Sequence, residues 1–158
     1  MTPAGSIEAL AIAKAMRENL WLYPSVEIVH IVGFVTLVGS VVMFDLRVLG
    51  LSRQVSVRAL ARHLLPWSLA ALVLIVPSGL LMFAAHANDF ISNRAFLLKM
   101  GLLLAAGLNA AIFHTGPYRG VEQWDTGVAA PGWARVSVAL SIAIWVAIIA
   151  CGRLLAYL

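Results

Sequence analysis

The sequence predicts an all-α integral membrane protein. The architecture expected is a four-helix up-and-down bundle preceded by a short amphipathic helix lying in the interface. Three observations carry this. Of the 158 residues, 62% are hydrophobic and 11% charged, whereas soluble domains lie nearer half apolar and a quarter charged. The mean hydropathy is +0.95. Four segments are long and apolar enough to cross a bilayer, which takes about 20 residues of helix. The length suits one transmembrane domain over residues 1–158.

The first residues read as an amphipathic helix over about 6–19. Ile7, Leu10, Ile12, Ala13, Met16 and Leu20 recur at helical spacing, with Glu8, Lys14, Arg17 and Glu18 between them. Ser6 is the expected N-cap. A basic start followed by an unbroken apolar core is missing, so no cleavable signal is expected. The spans fall near 24–47, 64–87, 93–115 and 133–156. Trp21, Tyr23, Trp67, Trp124, Trp133 and Tyr157 mark their ends as interfacial aromatics. Pro24 and Pro131 suit helix starts. Pro77, inside the second span, predicts a kink. Small residues at Gly33, Thr36 and Ser40, at Gly101, Ala105 and Asn109, and at Ala134, Ser137 and Ser141 form stripes that permit close helix packing.

The formal charge of +4 does not signal nucleic acid; in a membrane protein its placement sets orientation. The first connection holds Arg47, Arg53, Arg58 and Arg62 against Asp45 alone, and the third holds Arg119 and Arg135. That density predicts a cytoplasmic first connection, with both termini periplasmic in a bacterial inner membrane. Asp45 and Arg47 read as a boundary ion pair. The single Cys151 excludes an internal disulfide and reads as a packing residue.

Ionisable residues inside a membrane are costly and are candidates for function. His30 is the sharpest, because no charged residue occurs between Ile28 and Phe44. Counted from the cytoplasmic end at a rise of ~1.5 Å per residue, His30, Met82, Lys99 and Cys151 share a level about 24–27 Å up. Neutral imidazole is the usual axial donor to haem iron. Gly33, one turn on, leaves room for a flat macrocycle, and Glu27, one turn before, is placed to orient the ring. Met82 and His86, four apart on one face, are candidates for the second axial position. Lys99 is placed to pair with Glu27 or with a haem propionate. His63 and His114, near the opposite boundary, form a second candidate site. A metal held by His30 and His86 is also open to copper, since His and Met together suit Cu(I). The lone Glu-x-x-His at Glu27–His30 is too little for a di-iron bundle.

The stretch LYPSVEIVHIVGFVTLVGSVVMFDLRVLG, followed by LLPWSLAALVLIVPSGLLMFAAHANDFISNRAFLLKMGLLLAAGLNAAIFH, resembles an uncharacterised family of bacterial four-helix inner-membrane proteins. More distantly it looks like CopD-like membrane domains and the HemJ-type protoporphyrinogen oxidase. Both have a histidine early in an apolar helix, followed by glycines and a basic end, and a lysine inside a helix two spans later. Here those positions are His30, with Gly33, Gly39 and Arg47, and Lys99. In the HemJ type the histidine and lysine are functional and b-type haem is associated, so the resemblance implies haem at His30 with Lys99 beside it. The chain departs from that type around both positions and in carrying Met82 and His86. The expectation is a haem b protein that transfers electrons between a quinone or a periplasmic partner and an associated redox protein. A homo-oligomer or a subunit of a membrane redox complex is expected, with lipid as the surrounding partner. Copper handling and a cofactor-free assembly subunit are the alternatives.

Overall fold

The computed structural model describes residues 3–155 and 157. The described chain is all helical, and four of its helices are long and apolar enough to cross a membrane. They are α3 (Leu22–Leu49), α4 (Val57–Ala85), α6 (Arg94–Thr115) and α7 (Gly132–Leu154). Shorter pieces are α1 (Pro3–Glu8), α2 (Ala11–Glu18) and α5 (Ala87–Ser92), with a 3₁₀ turn at Pro117–Gln123. The long helices carry exposed Leu, Ile and Val over most of their surface, as lipid-facing helices do.

Contacts fix the topology. Along α3 and α4, His30 meets Ser78, Gly33 meets Leu74, and Arg47 meets Val55. As α3 residue numbers rise the α4 partners fall, so the two helices are antiparallel. The same holds for α6 and α7, where Asn109 meets Ser137 and Gly116 meets Trp133. α3 packs mainly on α4, α7 bridges α3 and α6, and α4 and α6 meet through the stacked rings of Phe83 and Phe96 (5.7 Å) with few close backbone approaches elsewhere among the described residues. The bundle is therefore open along the α4–α6 side. Two cores hold it. Leu37, Ala71, Ala106, Ile144, Trp145 and Ile148 form one at mid-height. The second lies at the end carrying the first and third connections, around Val48, Val57, Phe113, Trp124 and Val138.

The N-terminal helix differs from expectation. It is two helices with a break at Ala9 and Leu10, and Ser6 lies inside α1 rather than at its start. The reason is docking. Arg17 donates to the carbonyls of Ala85 (2.9 Å) and Glu8 (2.8 Å), which ties α1 to the end of α4. Glu8 accepts from the backbone N–H and side chain of Asn88 at 2.8 and 2.7 Å. Those bonds, the backbone one foremost, hold its carboxyl below the ordinary 4.5. Ala13 and Met16 form the buried face of α2.

The second span also begins earlier than 64. Ser56 caps α4, accepting from the Ala59 N–H at 3.0 Å. Asp125 reinforces that end by accepting from the Ser56 hydroxyl and from the Arg58 N–H at 2.8 Å. A carboxylate at a helix N-terminus also meets the positive end of the dipole. Burial pushes the Asp125 carboxyl up, but the Arg58 N–H, the Ser56 hydroxyl and the Arg58 charge together hold it below 3.8. The helix runs on through Pro66 and Pro77.

The expected Asp45–Arg47 ion pair does not form. The Arg47 guanidinium, 4% exposed, turns to three carbonyls: Val55, Arg53 (2.9 Å) and Asp125 (2.9 Å). Carbonyls at helix ends and in loops lack intrahelical donors, and a planar fork of N–H groups satisfies several at once. Arg47 thereby knots the first connection to the third.

Candidate functional site

His30 lies on α3 with its ring against α4. Nδ1 is 3.0 Å from the Ser78 hydroxyl oxygen and 3.2 Å from the Ile75 carbonyl oxygen. The Ser78 hydroxyl has one proton, and its closest acceptor is the Leu74 carbonyl. With that proton committed, both oxygens facing Nδ1 are acceptors. Nδ1 therefore carries the proton, and Nε2 of the neutral ring keeps its lone pair. No hydrogen bond engages Nε2 among the described residues. Gly79 makes this seat: a Cβ there would lie 3.2 Å from Cε1 of the ring. A metal-binding histidine typically donates its other N–H to a carbonyl in this way.

Gly33 does a different job from the one expected. A Cβ there would stand 2.9 Å from Ile75 Cγ1, 3.0 Å from Leu74 Cβ and 3.2 Å from the Ala71 carbonyl oxygen. The space beside Gly33 is filled by α4, not open to a macrocycle. Its missing side chain brings the two backbones close and so places Ser78 and Ile75 under the imidazole.

Lys99 on α6 points into the bundle. Its ammonium is 5.9 Å from the centre of the Phe34 ring and 3.8 Å from the position a Cβ would take on Gly152. Among the described residues no carboxylate forms an ion pair with Lys99; the lysine and arginine ion pairs are Lys14–Glu18 and Arg58–Glu122. Glu27 is exposed on the first turns of α3.

A second polar place lies below, between the two cores. A cavity of about 100 Å³ is bounded by all four long helices, with Ser40 and Asp45 on α3, Ser68 on α4, His114 on α6 and Ser141 on α7 in its lining. Asp45 is 4% exposed, and its Oδ2 has no hydrogen-bond partner among the described residues. The Ser141 hydroxyl faces the same carboxyl group. Asn109 and Ser137 at the edge satisfy each other, with Nδ2 donating to the Ser137 carbonyl (3.0 Å) and the Ser137 hydroxyl to Oδ1 (2.9 Å).

Residues 21–158 match the model of a family of unknown function, DUF6644. The chain belongs to that family. No curated protein and no solved structure matches it. The family match covers all four long helices of this DUF6644 chain and leaves out α1 and α2.

The other expected site residues of the DUF6644 chain are dispersed. Met82 is half-buried in α4. His86 is not on the Met82 face one turn further out, because α4 ends at Ala85 and His86 leaves the helix with φ −138° and ψ 45°. Its ring meets Tyr23 edge-on at 5.5 Å, and Nδ1 is 3.7 Å from Asp89. His63 is exposed on α4, and His114 lies edge-on to Tyr118 at 5.1 Å; no hydrogen bond or ring contact joins the two. Cys151 is buried as a packing residue on α7. No group of three His, Cys, Asp or Glu side chains converges among the described residues. The residue that sequence reasoning assigned elsewhere is Asp45, and the signal for it was the polarity of Ser40, Ser137 and Ser141, which reads equally as a small-residue packing stripe.

Proposed function

We propose that this DUF6644 chain is a b-type haem protein of the bacterial inner membrane, with His30 Nε2 as an axial ligand. The observation that supports the reading is the bonding of Nδ1. Two acceptors on α4 fix the tautomer, so the unshared pair lies on the nitrogen that α4 does not use. Bound haem supplies one-electron chemistry at a potential set by its axial ligands and surroundings. This chain's residues supply the rest. Ser78 and Ile75 hold the ring, Gly79 gives it room, and Lys99 offers an ammonium to a propionate. The residues fit one axial ligand well. Gly33 does not provide the flat cradle, His86 is engaged with Tyr23 and Asp89, and Met82 is the remaining candidate on α4 for the second position. The likeness of His30 and Lys99 to the HemJ-type positions supports the same choice of cofactor.

On this reading the protein passes electrons between a quinone or periplasmic partner and an associated redox protein. Both termini lie on the periplasmic side, supported by exposed Arg53, Arg58 and Arg62 near the first connection. Arg47 drops out of that count because it is buried. A cofactor-free structural subunit is the second reading. It is favoured by the same bonds: a histidine that joins α3 to α4 through two acceptors locks helices whatever its other nitrogen does.

The test is a reduced-minus-oxidised absorption spectrum, with iron and copper analysis, on protein purified from cells supplied with both metals. The expected result is a b-haem band set that is lost in His30→Ala while the variant still purifies as a folded helical protein. A spectrum unchanged in His30→Ala would overturn the assignment. Copper without haem would support copper handling, and neither metal would support the structural subunit.

A further inference from the structure

We infer that the cavity at Asp45 is a binding site for a lipid-soluble ring bearing a hydroxyl, of the quinol class, entering between α4 and α6. Three independent features meet there. The first is an unmet acceptor. Asp45 Oδ2 is buried, lines the cavity and receives no donor among the described residues. A buried acceptor without a donor is costly, so an occupant that satisfies it must bring an O–H or N–H. Arg47, the nearest arginine in sequence, is spent on three carbonyls and does not supply one.

The second feature is the wall. Val41, Phe44, Leu64, Phe113 and Val138 give it an apolar side opposite the serines and Asp45, and Phe44 and Phe113 meet edge-on with centroids 5.7 Å apart. An apolar wall with a few convergent polar groups is the ordinary form of a small-molecule site. Such a wall favours a mainly carbon guest with one polar edge over a hydrated cation. A ring beside Phe44 and Phe113 extends their aromatic packing, while its hydroxyl donates to Oδ2.

The third feature is access. Away from the Phe83–Phe96 stack α4 and α6 make few close backbone approaches, and the cavity reaches exposed Leu65 on α4 and exposed Ala110 and His114 on α6. The mouth therefore faces the bilayer, not water. About 100 Å³ holds only part of a substituted ring, so the guest's tail stays outside in lipid. Naming the guest a quinol rests on the electron-transfer reading; the unmet acceptor, the wall and the opening do not.

The test uses the full chain in lipid nanodiscs and a decyl-substituted benzoquinol kept reduced, with binding to empty nanodiscs subtracted. Its dimethyl ether, which keeps ring and tail but has no O–H, is the control. Wild type is expected to bind the quinol saturably at one site. The ether, and the quinol with Asp45→Asn, should bind about tenfold more weakly, the worth of one buried hydrogen bond. Ala110→Trp, a change at an exposed position on the mouth, should abolish saturable binding. His30→Ala should leave it in place, so loss of haem and loss of this site are read separately. Equal binding of quinol and ether with no effect of Asp45→Asn would overturn the proposal. So would the absence of any wild-type binding above empty nanodiscs, which would leave the cavity to water.

Discussion

Arg47→Met is expected to destabilise the protein by about 2–4 kcal/mol, the loss of three hydrogen bonds from a charged donor set against relief from burying that charge. Methionine keeps the length of the stem and removes all donors. The carbonyls of Val55, Arg53 and Asp125 then lose their shared partner, while Arg53 and Asp125 keep the N–H groups of Gly127 (2.9 Å) and Val57 (3.1 Å), so the link between the first and third connections is weakened and not cut. Arg47→Lys should recover only part of the loss, because an ammonium cannot span three acceptors set around a planar fork. Denaturant titration in detergent, followed by helical signal and by proteolysis of residues 50–56 and 124–131, checks both variants. The same knot has a pH signature through Asp125. Its folded pKa lies below the ordinary 3.8, so its contribution is complete above that value and is lost as pH falls through the folded one. The difference in unfolding midpoint between wild type and Asp125→Asn should be constant above about pH 4 and shrink below it.

Gly33→Leu is expected to cost about 3 kcal/mol through overpacking of α3 on α4. A Cβ at residue 33 meets Leu74 and Ile75 at 3.0 Å or less, and the Ala71 carbonyl oxygen at 3.2 Å. The carbonyl belongs to the α4 backbone and cannot swing aside, so the helices must separate. The separation pulls Ser78 and Ile75 from the imidazole one turn away. The variant should therefore lose any ligand held at His30 as well as stability, although residue 33 touches no such ligand. Gly39→Ala is the control on the same helix, since nothing lies within 4 Å of a Cβ there, and it should be close to neutral. Melting curves of the three proteins side by side read this directly.

These two residues also mark how far the sequence can be read. The helices were legible because apolar runs of more than twenty residues have one outcome in a bilayer. Gly33 was legible as a place of close approach, but composition cannot say whether a helix or a cofactor comes close. Arg47 and Asp45 were misread for a related reason. Opposite charges two apart near a helix end suggest an ion pair, yet residues two apart on a helix do not face each other. Arg47 found its partners in the loops, and Asp45 was left facing the cavity. His86 was lost to a boundary: a helix that ends at Ala85 no longer places residues 82 and 86 on one face. Matching depth along four helices likewise did not gather ligands, because a level in the membrane fixes height and not the direction in which a side chain points. The structure gives the His30 ring a seat on the second helix that no spacing rule displayed.

The α4 oxygens accept the Nδ1–H of His30 and leave Nε2 with its lone pair free. Nitrogen-15 NMR of histidine-labelled protein in lipid, prepared without haem and with His30→Ala to assign the signal, measures this directly. The account predicts a neutral ring with a protonated Nδ1 and a bare Nε2, and loss of that preference in Ser78→Ala together with Gly79→Val, which removes one acceptor and fills the seat. A ring that carries its proton on Nε2 would contradict the account, since that nitrogen would have no lone pair to give to iron.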